Sequence, residues 1–351
     1  MADMKRVLIA KNQAVTRCVC LPAPGNLKVR AGETVDFGTV IAELSQPERF
    51  EMIDIPSHFK VSPEQAEGMV KRLVGDVLAK GDVLAQKDGF ITQLFRSPDS
   101  GKVVSLREGR ITLAIGMQKR QLLSPVPGIV AELLDGSGAK IALTGSVIEA
   151  VWANGKSAKG ELVFWDELEK KGLGIASASV KDKIVAFKKT ASGGQIRRLL
   201  RLKPAGVVLP SVSVKQLKAL DECDTAVLSF LGFGEANMDA LSLNMLETML
   251  EKTVYLLGET SNNGPKENPI LIMPEAKLPD LGLGKEEVNL EPGVKVRLRG
   301  KPYTGMVGIV QALPEEPAVF ASGIKSKVVV VECEDQQVIN ASVHNIDLIQ
   351  E

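Results

Sequence analysis

Gly32-Glu-Thr-Val-Asp-Phe-Gly38-Thr-Val-Ile-Ala42 occurs a second time as Gly75-Asp-Val-Leu-Ala-Lys-Gly81-Asp-Val-Leu-Ala85. Both copies read G-x-x-[VL]-x-x-G-x-V-[IL]-A. Glycine takes a positive φ without a Cβ clash, so each G marks a turn. The β-branched residue after the second G suits a pleated, half-buried strand. The repeat predicts a chain built on small β units.

Working outward, a second phrase is repeated. Ser97-Pro-Asp-Ser-Gly101-Lys-Val103 and Ser124-Pro-Val-Pro-Gly128-Ile-Val130 share S-P-x-x-G-x-V, and a looser third glycine unit runs from Gly138 through Gly145 to Ile148. Short strands are expected at Val7–Ala10 and Cys18–Leu21. A helix is expected to open at Ser62, with Pro63 at its first position, Gln65 completing a capping box, and Met69, Val70 and Leu73 on its apolar side. The combination of a "Pro…Gly-x-Val" turn with a "Gly…Val…Gly…Ile-Ala" turn resembles the half-motif of biotinyl and lipoyl carrier domains. More broadly it resembles the barrel-sandwich hybrid, a fold also inserted in large assemblies. Carrier chemistry needs a lysine at a hairpin tip, and neither Glu43-Leu-Ser-Gln46 nor Glu149-Ala-Val-Trp152 supplies one. The resemblance therefore implies a fold over residues 1–165 and no cofactor.

The totals bound the rest. A chain of 351 residues is long enough for two or three domains. Lys plus Arg and Asp plus Glu are 43 each, so any grip on nucleic acid is local rather than global. Aromatic content of 4% leaves few stacking platforms for single-stranded bases. Cys18 and Cys20 form the only close cysteine pair, with Cys223 and Cys333 apart, so no zinc set is complete and a reducing compartment is expected. The first ten residues lack the apolar run of a secretory signal, and no stretch approaches the roughly 20 apolar residues of a membrane span. The expectation is a cytoplasmic protein with no membrane partner.

Residues 174–275 change period. Ile184–Phe187, Gly206–Leu209, Thr225–Phe230, Val254–Leu257 and Ile270–Met273 are continuous apolar runs, as in strands covered on both faces. Helical patterns separate them at 194–202, 213–220 and 237–252, with Met238, Leu241, Met245, Leu246 and Met249 as a core-facing stripe. This predicts a small α/β domain with a short parallel sheet. Two of its loops carry glycines where such folds place ligands: Ser192-Gly193-Gly194, opening a helix, and Gly232-Phe-Gly234-Glu235 after the third strand. Neither completes a dinucleotide or P-loop fingerprint, and a tight turn is the plainer reading of both.

Residues 259–290 are rich in Asn, Gly, Pro and Lys and read as loop around one strand, with a linker over 276–290. Residues 291–351 follow with Gly293-Val-Lys-Val-Arg-Leu-Arg-Gly300-Lys-Pro-Tyr303-Thr-Gly305-Met-Val-Gly308-Ile-Val310. This stretch resembles the KOW motif of small SH3-like barrels in ribosomal proteins and transcription elongation factors. The resemblance implies that Arg297, Arg299, Lys301 and Tyr303 form an edge turned toward RNA or protein. A solvated strand face is the plainer reading.

Several phrases together resemble a bacterial family with the same order of parts: Val151-Trp-Ala-Asn-Gly155, the Gly232-Phe-Gly234 loop followed by Met238, and Tyr303–Gly308 running to Leu313-Pro-Glu-Glu-Pro317. That resemblance implies an all-β barrel-sandwich hybrid, an α/β domain and an SH3-like (KOW) barrel in series, and implies no activity. His58 and His344 are the only histidines, and no nucleophile elbow, metalloprotease helix or spaced carboxylate pair occurs, so no catalytic or metal-binding residue is assigned. The sequence reads as a non-enzymatic interaction protein, held to a larger machine, to RNA through its C-terminal domain, or to copies of itself. The alternative is a small-molecule or enzymatic site on loops 192–195 and 232–235.

Overall fold

The computed structural model describes residues 6–23, 25–170, 180–258, 267–275, 290–299, 302–333 and 336–350. The expected loop at 260–265 and the linker lie outside the described residues, except for Leu290. With 48% strand against 16% helix over several sheets, the protein is a β-rich multidomain chain. It divides into two compact units. One comprises residues 1–22, 29–41 and 123–351; the other comprises 23–28 and 42–122.

The division follows from the repeated phrases. In the larger unit Gly32 N–H donates to Val130 C=O (2.7 Å) and Val130 N–H to Glu33 C=O (2.9 Å), while Gly38 N–H donates to Ser124 C=O (2.8 Å) and Ser124 N–H to Thr39 C=O (2.8 Å). In the smaller unit the same four bonds recur as Gly75 to Val103 (2.8 Å), Val103 to Asp76 (2.9 Å), Gly81 to Ser97 (2.8 Å) and Ser97 to Asp82 (2.7 Å). The serine hydroxyls also match: Ser124 Oγ donates to Val126 C=O at 2.5 Å and Ser97 Oγ to Asp99 C=O at 2.6 Å. Gly32, Gly38, Gly75 and Gly81 have φ of 83°, 85°, 105° and 91°, the left-handed turns that the repeat demands. The pairing is nested. The outer phrases bond each other and the inner phrases bond each other, so the smaller unit is inserted between the two halves of the larger motif.

The smaller unit has a five-stranded sheet and its own core of Ile53, Ile55, Phe59, Leu78, Leu84, Ile111 and Leu113, among others. The helix Pro63–Met69 has the expected capping box, Ser62 with Gln65. It stops at Met69, and Leu73 is 72% exposed, because the chain there turns into the second repeat. The helix Ile55–Phe59 was not expected, although Asp54 as its N-cap and Pro56 in its first turn are start signals.

In the larger unit the two expected N-terminal strands are one, Arg6–Cys20, bulged between Ala10 and Gln13 with Asn12 at φ 54°. The expected third glycine unit is also a single strand, Gly138–Glu149. Its glycines are not turns: a Cβ at Gly138 would strike the Val19 carbonyl and one at Gly145 the Met273 carbonyl. Close approach of neighbouring strands explains them.

The parallel sheet reaches back across the boundary expected at 165–174. Its strands are Ala158–Phe164, Lys183–Ala186, Gly206–Leu209 and Ala226–Ser229, hydrogen-bonded in that order. Thr253–Leu257 lies antiparallel on the far side of the first strand. Alternate side chains feed two cores. Leu162, Phe164, Ile184, Ala186, Val208 and Leu228 meet the helix Ala240–Met249 through Met245, Leu246 and Met249. Val163, Val185, Val207, Leu209 and Val227 meet Trp165 and Leu168 of the helix Trp165–Lys170, Ile196 and Leu199 of Gly193–Arg201, and Leu220 of Val214–Asp221. Apolar runs on both faces thus have the predicted cause: helices cover both. The Met stripe is core.

From Thr253–Leu257 the hydrogen-bonded path continues through Ile270–Pro274, Gly138–Glu149 and Arg6–Cys20 to Ile346–Gln350. It then runs through Lys295–Leu298, Val307–Ala312, Val328–Cys333 and Val338–Ser342. The C-terminal strands surround a core of Val296, Leu298, Val310, Val331, Ile339 and Ile346, among others.

Candidate functional site at the carboxyl ends of the parallel strands

The expected ligand loops both lie at the carboxyl ends of the parallel strands, and a third loop, 210–213, lies between them. Ser192 caps its helix in a capping box with Gln195, leaving Ser192 and Gly194 exposed and Gly193 half-buried. Gly232 (φ 75°) and Gly234 (φ 125°) make the turn after the fourth strand; a Cβ at Gly232 would fall 2.7 Å from Val151 Cγ1. Glu235 is exposed.

The three loops are bonded to one another. Val212 N–H donates to Gly232 C=O (2.8 Å) and Gly234 N–H to Val212 C=O (2.9 Å). Ser211 Oγ accepts from Ala236 N–H at 2.9 Å and donates to Ala236 C=O at 3.0 Å, and Ser229 Oγ donates to Gly232 C=O at 2.9 Å. Thr190 N–H donates to Asn237 Oδ1 at 3.1 Å, Met238 N–H to Lys188 C=O at 3.0 Å, and Gln216 Nε2 to Ala191 C=O at 2.9 Å. Ser211, Ser229, Asn237 and Gln216 were missed as site residues by sequence reasoning. Their partners are backbone groups brought close only by the fold, so no spacing rule reveals them.

Arg297 is a correction. The alternation Val296-Arg297-Leu298-Arg299 predicts arginines turned to solvent, yet Arg297 is 0% exposed. Its strand is covered on both faces, and the guanidinium enters the loop after the fourth parallel strand. Nη1 donates to Asp239 Oδ2 and Nη2 to Phe230 C=O and Asp347 Oδ2, each at 3.2 Å. Asp239 also caps the helix Ala240–Met249 through Ser242 N–H (2.9 Å), and Asp347 is the direct cross-strand partner of Arg297. Arg299 Nε stands 3.0 Å from Asp347 Oδ1, and Arg299 Nη2 donates to His344 C=O at 3.1 Å. The two cations and two carboxylates balance, as burial demands. Of the expected basic edge, Arg297 is interior, Arg299 is mostly buried and paired, Tyr303 is 37% exposed, and Lys301 lies outside the described residues.

His58 and the thiols of Cys18 and Cys223 have surroundings that do not favour chemistry. His58 packs edge-on against Phe59 and Phe95, with ring centroids 4.9 and 4.3 Å away. Burial, then the Glu267 carboxylate, pushes the Cys18 thiol up to about 11, and burial raises Cys223 as well. Among the described residues no three of His, Cys, Asp and Glu converge as metal ligands would. The tip of the hairpin Val83–Lys87/Gln93–Arg96 carries Phe90 and Ile91, 107% and 75% exposed, and no lysine; Lys87 beside it donates to Phe59 C=O at 3.0 Å. No helix among the described residues is long and apolar enough to cross a membrane. Comparison with protein-family models and with curated proteins gives no match to this chain.

Proposed function

We propose that the protein works by binding rather than by catalysis, as a cytoplasmic scaffold that attaches to a large RNA–protein machine of the ribosomal or transcriptional kind. The nested four-bond ladders support reading the two β motifs as barrel-sandwich hybrids. The antiparallel C-terminal strands support an SH3-like, KOW-type barrel.

The observation that carries the reading is a hairpin on that C-terminal module. Ala318–Val319 pairs with Lys325–Ser326, and Val319 and Ile324 are 68% and 64% exposed. Val319 stands opposite Lys325 and Ile324 directly precedes that lysine, and two exposed apolar side chains this close on one hairpin suit a protein partner. With Arg297 buried and Arg299 paired, this hairpin is proposed as the contact in place of those two arginines. The mutual bonding of the loops at the carboxyl ends weighs against the ligand-binding alternative, because Ser192, Gln195, Ser211, Gln216 and Ser229 already have partners there.

The test is a native pull-down of the tagged protein with mass spectrometry, beside a Val319→Asp/Ile324→Asp variant. Ribosomal or polymerase subunits that come down with the parent and are lost with the variant would support the reading. Recovery of the parent alone, as a discrete oligomer, would overturn it in favour of self-assembly.

A further inference from the structure

From residue 183 to residue 220 the chain holds Lys or Arg nine times and Asp or Glu not once, in a protein whose charges balance overall at 43 each. The fold gathers this run onto one surface. Successive parallel strands paired side by side put their crossover helices on the same face, so Gly193–Arg201 and Val214–Asp221 are neighbours there. Ile196, Leu199 and Leu220 point into the core, and the opposite sides are exposed: Arg197, Arg198 and Arg201 on the first helix, Lys215 and Lys218 on the second. Lys189 and Lys203, at the two ends of the first helix, are exposed as well.

Two lysines of the run have partners, Lys183 with Glu161 (2.7 Å) and Lys188 with Glu247 (3.3 Å). The other seven have no carboxylate within ion-pair distance among the described residues. The acidic residues that border the face are Asp221, Glu222 and Asp224 at the far end of the second helix, and Asp166, Glu167 and Glu169 on the helix before the second parallel strand. The stripe therefore has an edge: it follows the whole first helix and the first half of the second.

We propose that this helical face binds the phosphate backbone of double-stranded RNA without reading its sequence. The inference rests on the scaffold reading above and names the RNA contact of that scaffold. Unpaired cations on a rigid face release counterions when they meet phosphates, which is the main source of sequence-independent affinity. Residues 188–220 contain no aromatic side chain, so the face has nothing on which to stack unpaired bases. Both helices bury one side in the core of the sheet, Ile196 and Leu199 from the first and Leu220 from the second, which leaves only their outer sides for a ligand. A basic face of this kind fits the shallow, accessible side of an A-form duplex. Val214 is the only large apolar side chain that 188–220 exposes, too little for insertion among lipid chains.

The experiment uses the full chain and an RNA duplex of arbitrary sequence, long enough to cover the face at about 16 base pairs. Affinity is measured against salt for the parent and for Arg197→Glu/Arg198→Glu/Arg201→Glu. A second triple reversal, Lys80→Glu/Lys102→Glu/Arg107→Glu, makes the same net-charge change at exposed sites elsewhere. Far-ultraviolet circular dichroism checks that each is folded. The expected result is a loss of at least about tenfold for the first variant only, with a log–log salt slope shallower by about three. Equal binding by the parent and the first variant would overturn the proposal. So would equal weakening by both variants, no duplex binding at low salt, or tighter binding to a DNA duplex, polyglutamate or phosphatidylserine vesicles. If the duplex is not bound while machine subunits still co-purify through the Val319/Ile324 hairpin, this inference fails and the scaffold reading stands; loss of both removes the two together.

Discussion

Arg297 joins two carboxylates and a carbonyl with no solvent at any of them, so its removal leaves Asp239 and Asp347 charged and buried with only Arg299 nearby. We expect Arg297→Met to destabilise the larger unit by about 3–5 kcal/mol in urea unfolding at neutral pH. Adding Asp239→Asn and Asp347→Asn should return most of that loss, because the amides are uncharged and asparagine caps a helix as well as aspartate does. A single variant as stable as the parent would show that the ion pairs add nothing net. Cys18 gives a second expectation. With its thiol pushed up to about 11, iodoacetamide at pH 8 should label it about 100-fold more slowly in the folded than in the urea-unfolded protein. The unfolded thiol ionises near 8.5 while the folded one stays neutral to about 11, so this residue's contribution to stability is complete below about pH 8.5 and is lost as pH rises through the folded value. Equal labelling rates, read by peptide mass spectrometry, would refute the burial argument. Arg297 also shows where residue-level reading stops. The alternation that correctly buries Val296 and Leu298 gives no information on what covers the other side of their strand.

At the scale of elements, a signal was legible wherever it was local. The Ser62–Gln65 and Ser192–Gln195 boxes mark two helix starts and the half-made pair Ser213–Gln216, with Ser213 N–H donating to Gln216 Oε1 at 3.1 Å, marks a third; each has a Gln three residues after its Ser in the sequence. The apolar runs at 184–187, 206–209 and 226–229 mark three parallel strands. The first parallel strand was not legible as one, because Ala158-Lys-Gly-Glu-Leu-Val-Phe164 alternates at its start, and its parallel partner lies across residues 171–182. The glycines of Gly138–Glu149 misled for a related reason. A glycine needed for close approach and one needed for a turn are the same letter. The duplicated ladders, in contrast, make a sharp prediction. Ser97 and Ser124 donate to the carbonyl two residues ahead and are 3% and 1% exposed, so Ser97→Ala and Ser124→Ala should each destabilise their own unit by a similar amount, about 1 kcal/mol. Unfolding followed by site-resolved hydrogen exchange distinguishes the units; an effect at one serine and none at the other would show that the copies have diverged in energetics despite matched geometry.

For the whole molecule, nesting determines what can be removed. The chain leaves the larger unit twice, briefly at Pro22 to re-enter at Val29, and at Ile41 to re-enter at Leu123 after the long excursion 42–122. Within that unit the bonds from Gly38 N–H to Ser124 C=O and from Ser124 N–H to Thr39 C=O, both 2.8 Å, hold the two ends of the long excursion side by side. Ends this close are joined by a two-residue turn with the strand twist intact, and the shorter loop lowers the closure entropy. The larger unit keeps its own buried clusters around the parallel sheet and the C-terminal strands, none of which takes a residue from 42–122. We therefore expect a chain with residues 42–122 replaced by Asn-Gly to fold cooperatively, with native near-ultraviolet circular dichroism and a single calorimetric transition. Because the basic face and the Val319/Ile324 hairpin both belong to the larger unit, that chain should also keep duplex binding and partner capture. If it aggregates or melts without a transition, the smaller unit is part of the larger one's folding rather than an insertion in it. If it folds but loses its partners, the exposed Phe90-Ile91 tip of the smaller unit becomes the surface to mutate next.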